Sequence, residues 1–90
     1  MQFIWDPRKA AVNLRTHGIS FEEASSAFSD SLALTGADPD HSIGEERWIT
    51  FGASLRGRLL AVSHTEFGDM IRIISARAAT RTERKLYEEG

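Results

Sequence analysis

The chain has 90 residues, 41% hydrophobic and 27% charged, with a formal net charge of −2. That length fits one domain over 1–90, and the lack of Cys excludes a disulfide framework, thiolate metal sites and a thiol nucleophile. No apolar run approaches the ~18 residues of a membrane span and no basic-then-apolar leader opens the chain, so a globular protein of the cytoplasm is expected.

Phe3–Trp5 is a short apolar run that reads as a strand. Asp6-Pro7 then supplies an N-cap and a first helical residue, since the missing Pro N–H is an orphan there anyway. Ala10, Ala11 and Leu14 form the predicted apolar stripe. Gly18 suits the left-handed residue after the helix end, and His17 sits in the last turn. Ser20 and Glu23 fit a capping box for a second helix, with Phe21, Ala24 and Phe28 as its buried face. Leu32–Thr35 is a short apolar run. Gly36–Gly44, with Asp38-Pro39-Asp40, reads as a polar loop. Arg47–Gly52 alternates, with Trp48, Thr50 and Gly52 on one face and Ile49 and Phe51 on the other. Ser54–Gly57 turns the chain into a strand over Arg58–Thr65. Phe67-Gly68-Asp69 turns it again into Met70–Ala76. Thr80 and Glu83 make a second capping box, opening a helix to about Glu89.

The order is β-α-α-β-β-β-β-α. A helix pair followed by a short-looped strand meander indicates an α+β domain, an antiparallel sheet with helices packed on one face.

Charge is distributed unevenly. Residues 1–55 hold eight acids against four Lys and Arg, whereas residues 56–87 hold seven Lys and Arg against three acids. Arg72, Arg77, Arg81, Arg84 and Lys85 sit close together at the end of the chain. An acidic protein that gathers cations in one region points to an anionic ligand, and nucleic acid is the largest such class. Guanidinium groups grip phosphates bidentately and stay charged at working pH. Arg81, Arg84 and Lys85 share one helix face at spacings of three and four. Which sheet face carries Arg72 depends on a register the sequence leaves open.

Period two places Arg58, Leu60, Val62, His64 and Glu66 on one strand face, making His64 and Glu66 neighbours of the kind that transfer protons. Glu46-Arg47 begins a strand with a carboxylate and a guanidinium. Tyr87 is the only Tyr; its phenol can donate to a phosphate or stack on a base. Asp38, Asp40 and His41 form the most metal-like group, without the spacing of a dedicated metal loop. Trp5 and Trp48 read as core aromatics.

Three stretches together, WDPRKAAVNLRTHGISFEEA (5–24), DPDHSIGEERW (38–48) and IISARAATRTERKLYEE (73–89), resemble the BrnT family of type II toxins. The resemblance covers essentially the whole chain. It implies a RelE-like α+β fold and a metal-independent ribonuclease without a cofactor. It also implies neutralisation by a small BrnA-like antitoxin, a DNA-binding protein through which alone the complex meets its operator DNA. The family's polar positions fall here on Lys9, Asn13, His17, Glu46, Arg47, Arg77, Glu83 and Tyr87.

The expected function is thus an endoribonuclease toxin that arrests growth by cutting RNA, with the RNA 2′-hydroxyl as nucleophile. Arg77 and Arg81 stabilise charge, His64 or Glu46 is the base and Tyr87 is a donor or stacking group. Arg72, Arg84, Lys85, Arg47 and Lys9 bind RNA. The alternative is a non-enzymatic module whose basic face binds an acidic protein or a nucleic acid. A third reading is a metal hydrolase built on Asp38, Asp40 and His41.

Overall fold

The computed structural model describes residues 1–38 and 46–90. Its elements are β1 (Gln2–Ile4), α1 (Pro7–His17), α2 (Phe21–Ser26), a 3-10 turn (Ala27–Ser29), β2 (Leu34–Ala37), β3 (Trp48–Ala53), β4 (Leu59–Phe67), β5 (Met70–Ala78) and α3 (Arg81–Glu89). The order is the expected one, and the fold is α+β.

The strands form one sheet in the order β1-β5-β4-β3-β2. β2 to β5 make the antiparallel meander. The sheet is mixed rather than wholly antiparallel, because β1 joins the outer edge of β5 in parallel, Phe3 opposite Ile71 and Ile4 opposite Arg72. The meander leaves that edge of β5 open, and only a segment from outside the meander can fill it.

Directly opposed residues share a sheet face, so the register assigns both faces. Leu60, Val62 and His64 of β4 lie with Ile71, Ile73 and Ala76 of β5 on the face covered by the first two helices. Ile19, Phe21, Ala24 and Ala27 complete this core, with Phe3, Trp5, Ala10 and Phe28 packed around it. Burying each large apolar side chain here contributes roughly 1.5–3 kcal/mol. Gly52 is required by this packing: a Cβ there would stand 2.5 Å from the Ala27 carbonyl oxygen.

The helix signals hold at the ends and change in the middle. Asp6 accepts from the Arg8 N–H, Pro7 starts α1, and Gly18 takes a left-handed φ of 70° after it. Of the predicted stripe of α1 only Ala10 faces inward. Ala11 and Leu14 are exposed, and the buried residue is Asn13. Its amide donates to the Ala76 and Ile19 carbonyls, both at 2.9 Å, and its oxygen accepts from the Ala76 N–H at 3.0 Å. Asn13 thereby replaces a neighbouring strand where β1 has ended, and it docks α1 on the sheet edge.

The first capping box is half formed. Ser20 accepts from the Glu23 N–H at 3.0 Å, but the Glu23 carboxylate turns away. It accepts from Ser54 Oγ at 2.8 Å and Arg58 Nε at 2.9 Å, and Arg58 also reaches the Gly18 carbonyl at 3.1 Å. The Arg58 hydrogen bonds hold the buried Glu23 carboxyl below its ordinary pKa, against the opposing effect of burial. This clamp ties the β3–β4 turn to the junction of α1 and α2.

The second capping box is complete at Thr80 and Glu83. α3 lies against the other sheet face, over β3, so helices cover both faces.

Candidate functional site

α3 and the sheet face opposite α1 and α2 enclose a groove. The register places Arg77 opposite Ala61 and Arg72 opposite Thr65, both on this face. Ile49 and Phe51 lie on it too, because their strand neighbours Thr50 and Gly52 point to the core. The helix turns Glu83 and Leu86 toward these residues. The result is a cavity of about 300 Å3, with Asp38, Arg77 and Glu83 on its polar side and Ile49, Phe51 and Leu86 on its apolar side.

Arg77 is fixed in this groove. Its Nη1 donates to Glu83 Oε1 at 2.7 Å and to the Ala78 carbonyl at 3.3 Å, and its Nη2 donates to Glu83 Oε2 at 2.9 Å. Glu83 Oε1 also accepts from the Thr80 N–H at 2.9 Å, the reciprocal half of the capping box. One carboxylate therefore starts the helix and aims the guanidinium. The Arg77 hydrogen bonds, helped by the Thr80 N–H, hold the Glu83 pKa at about 2. Glu83, with Asp38 adding to the negative field, raises the pKa of Arg77. Nε–H and the second Nη2 hydrogen of Arg77 remain without a partner among the described residues. An oxyanion entering the groove meets a cation already held in place.

Tyr87 anchors the far end of the same helix. Its hydroxyl donates to Asp30 Oδ2 at 2.6 Å, and Asp30 also accepts from the Ala53 and Leu32 N–H groups at 2.8 and 2.9 Å. Those bonds, Ala53 foremost, lower the Asp30 pKa, and Asp30 in turn raises that of Tyr87. The phenol proton is committed to Asp30.

The remaining expected residues are spread around the molecule. Arg81, Arg84 and Lys85 are exposed on the side of α3 turned away from the groove, as a period of 3.6 residues requires once Glu83 and Leu86 face inward. Arg72 is exposed on the groove side of the sheet. Glu46 is exposed and Arg47 half-buried at the start of β3, where the Arg47 carbonyl accepts from the Asp38 N–H at 2.9 Å. Lys9 lines a separate cavity beside α1.

The structure does not bring His64 to these arginines. His64 is fully buried on the α1–α2 face, with its ring edge-on to Phe28 at 4.9 Å between centroids. Its Nε2 hydrogen-bonds Thr50 Oγ1 at 2.8 Å, which in turn bonds Thr35 Oγ1 at 2.7 Å. Burial pushes its pKa down to about 4. The sheet stands between His64 and both Arg72 and Arg77. Glu66, its neighbour in sequence pattern, is exposed at the strand end.

Two groups were not singled out in these roles from sequence. Asp38 is buried in the groove wall, whereas the sequence grouped it with Asp40 and His41, which lie outside the described residues. No set of three metal-ligating side chains occurs among the described residues. Asp30 gathers the Leu32 N–H two residues on together with the Ala53 N–H and the Tyr87 hydroxyl from far along the chain, and the latter two leave no local signal in the sequence.

The family described as the ribonuclease toxin BrnT of type II toxin–antitoxin systems matches residues 5–83, a span that holds Arg77 and Glu83. The chain belongs to the BrnT family. It is accordingly a ribonuclease toxin, and a type II system gives it a protein antitoxin as partner. Among solved structures it is similar to the Brucella abortus ribonuclease toxin BrnT. The two share 24% identity at a TM-score of 0.64, over 90% of this chain and 99% of that one. At that identity the likeness establishes the BrnT fold, the mixed sheet and three helices described above. No curated protein matches the chain. No helix among the described residues is long and apolar enough to cross a membrane.

Proposed function

We propose that this BrnT protein is an endoribonuclease that cuts RNA by internal attack, with the α3 groove as its active site. The 2′-oxygen attacks the neighbouring phosphorus, the P–O5′ bond breaks, the departing 5′-oxygen takes a proton from water, and the products carry a 2′,3′-cyclic phosphate and a 5′-hydroxyl. The observation that carries this reading is Arg77, fixed by Glu83 with donors to spare on an open sheet face. Preorganised donors of this kind stabilise developing phosphate charge without reorganising at the moment of reaction.

Roles follow from placement. Arg77 takes the phosphorane oxygens, while Arg72, on the same face but roughly 15 Å along β5, meets the RNA outside the groove. Glu83 positions Arg77 and is too weak a base at a pKa of about 2 to take a proton itself. Asp38, in the groove wall, is the carboxylate best placed to accept the 2′-hydroxyl proton, with the exposed Glu46 second. His64 is sealed in the core and holds no such role. Tyr87 orients α3 through Asp30. Arg81, Arg84, Lys85 and Arg47 attract and steer RNA from outside the groove. No step needs a metal. The protein acts in the cytoplasm, and a BrnA-like DNA-binding antitoxin silences it and carries the complex to operator DNA.

The rate of RNA cleavage by single-site variants tests the base. Asp38→Asn is expected to lower cleavage about a hundredfold, with folding checked by the melting temperature. Near wild-type cleavage by Asp38→Asn and a comparable loss in Glu46→Gln would move the role to Glu46.

A further inference from the structure

A second cavity, of about 370 Å3, lies between α1 and β5. Its walls are fixed. Asn13 locks α1 to the Ala76 backbone through two hydrogen bonds, and a register shift near Ser63 and His64 makes Ile74 an extra residue of β5 that reaches the cavity. Arg8, Lys9 and His17 form its rim, Val12 and Ile74 its apolar wall, and no carboxylate lines it. The Arg8 and Lys9 side chains make no ion pair among the described residues, in a chain of net charge −2. Ser75, also in the lining, pairs with Ser63 on the face that carries Arg77. One strand residue, Ala76, lies between Ser75 and Arg77, a separation of about 7 Å. The cavity therefore continues the open face past the sheet edge.

We infer that this cavity is a second RNA subsite, holding one nucleotide of a single strand that flanks the cleaved bond. Lys9 and Arg8 take its phosphate, and Val12 and Ile74 lie against its base. The inference rests on the ribonucleolytic reading of the α3 groove and extends it to the substrate's length and path. Cations gathered on one rim, with no opposing acid and a direct continuation to Arg77, suit a polyanion running between the two sites. Single strands are the form of RNA whose bases are free to enter such a cavity.

The test is a length series of single-stranded RNAs, cleaved by wild type and by R8A/K9A, with anisotropy on uncleavable 2′-O-methyl versions. Wild-type kcat/KM is expected to rise with length and level off once the strand spans both sites. R8A/K9A should lose about tenfold on long RNA through KM, as charge-assisted contacts typically contribute. It should match wild type on the shortest RNA, and the charge-preserving Lys9→Arg in place of Lys9→Ala should restore most of the loss. An equal loss at every length, or none, overturns the subsite. So does a variant that keeps RNA affinity and loses the antitoxin, which assigns the cavity to an acidic protein segment. Length-dependent binding through Arg8 and Lys9 without any cleavage refutes the nuclease chemistry and leaves the subsite standing. A wild type that neither binds nor cuts RNA refutes both.

Discussion

Lowering the pH from 7 to 5 weakens this fold through one imidazole. His64 is fully buried, and burial holds its folded-state pKa at about 4 against an ordinary 6.5. The unfolded chain takes up the proton as pH falls through 6.5, while the folded chain refuses it until about 4. Stability is therefore intact above that window, falls across it, and levels off below it. The whole gap corresponds to about 3 kcal/mol, of which about 2 kcal/mol is lost by pH 5. That is a large share of the roughly 5–15 kcal/mol that holds a domain together. The paired carboxylates act lower on the scale. The Glu83 contribution is lost only as pH falls from the ordinary 4.5 toward about 2, so the two effects separate. Urea unfolding of wild type and His64→Gln at pH 7, 6 and 5 is the assay. The amide keeps a partner for Thr50 but does not titrate. The stability of wild type relative to His64→Gln is expected to fall by about 2 kcal/mol between pH 7 and 5. Parallel profiles would refute the reasoning and mean that the imidazole takes its proton without unfolding.

Tyr87→Phe removes one of three donors to Asp30 and is expected to lower stability by about 1 kcal/mol with cleavage near wild type; a large rate loss at an intact melting temperature would make the phenol part of the chemistry. Asn13→Ala leaves the buried Ala76 N–H and C=O without partners, an expected cost of about 2–4 kcal/mol read by urea unfolding. A loss under 0.5 kcal/mol would show that water replaces the amide freely. Gly52→Ala forces a Cβ to within 2.5 Å of the Ala27 carbonyl oxygen and is expected to cost about 1–3 kcal/mol. For a domain of this size that is a melting point lower by roughly 4–8 °C per kcal/mol, and an unchanged one would contradict the close packing of the 3-10 turn on β3.

Local signals fixed the element ends, and non-local partners decided the faces. Asp6-Pro7 and Gly18 bracket α1 because capping depends on residues within one turn. The inward face of that helix was not legible, because Asn13 bonds a strand edge 63 residues away and Leu14 is left exposed. Ser20 and Thr80 both spell a capping box; only the second closes, since Arg58 and Ser54 draw the Glu23 carboxylate away from the first. Alternation along β4 correctly grouped His64 with Leu60 and Val62, which is the reason it is buried. The face of Arg72 needed the pairing with Thr65, which the extra residue Ile74 shifts. Arg77 was legible as a cation near an anion site, while its capture by Glu83 and the nearness of Asp38 needed the turn into α3 and the pairing of β2 with β3.

We propose that this protein, through Arg77 held in the α3 groove by Glu83, cleaves RNA without a metal. Purified protein incubated with single-stranded RNA in EDTA tests it most directly, with Arg77→Ala beside wild type and both melting temperatures recorded. Wild type is expected to give defined fragments with 2′,3′-cyclic phosphate ends, and Arg77→Ala a rate about a hundredfold or more lower at a melting temperature shifted only by the loss of a half-exposed ion pair. Cleavage abolished by EDTA, or undiminished in Arg77→Ala, would contradict it.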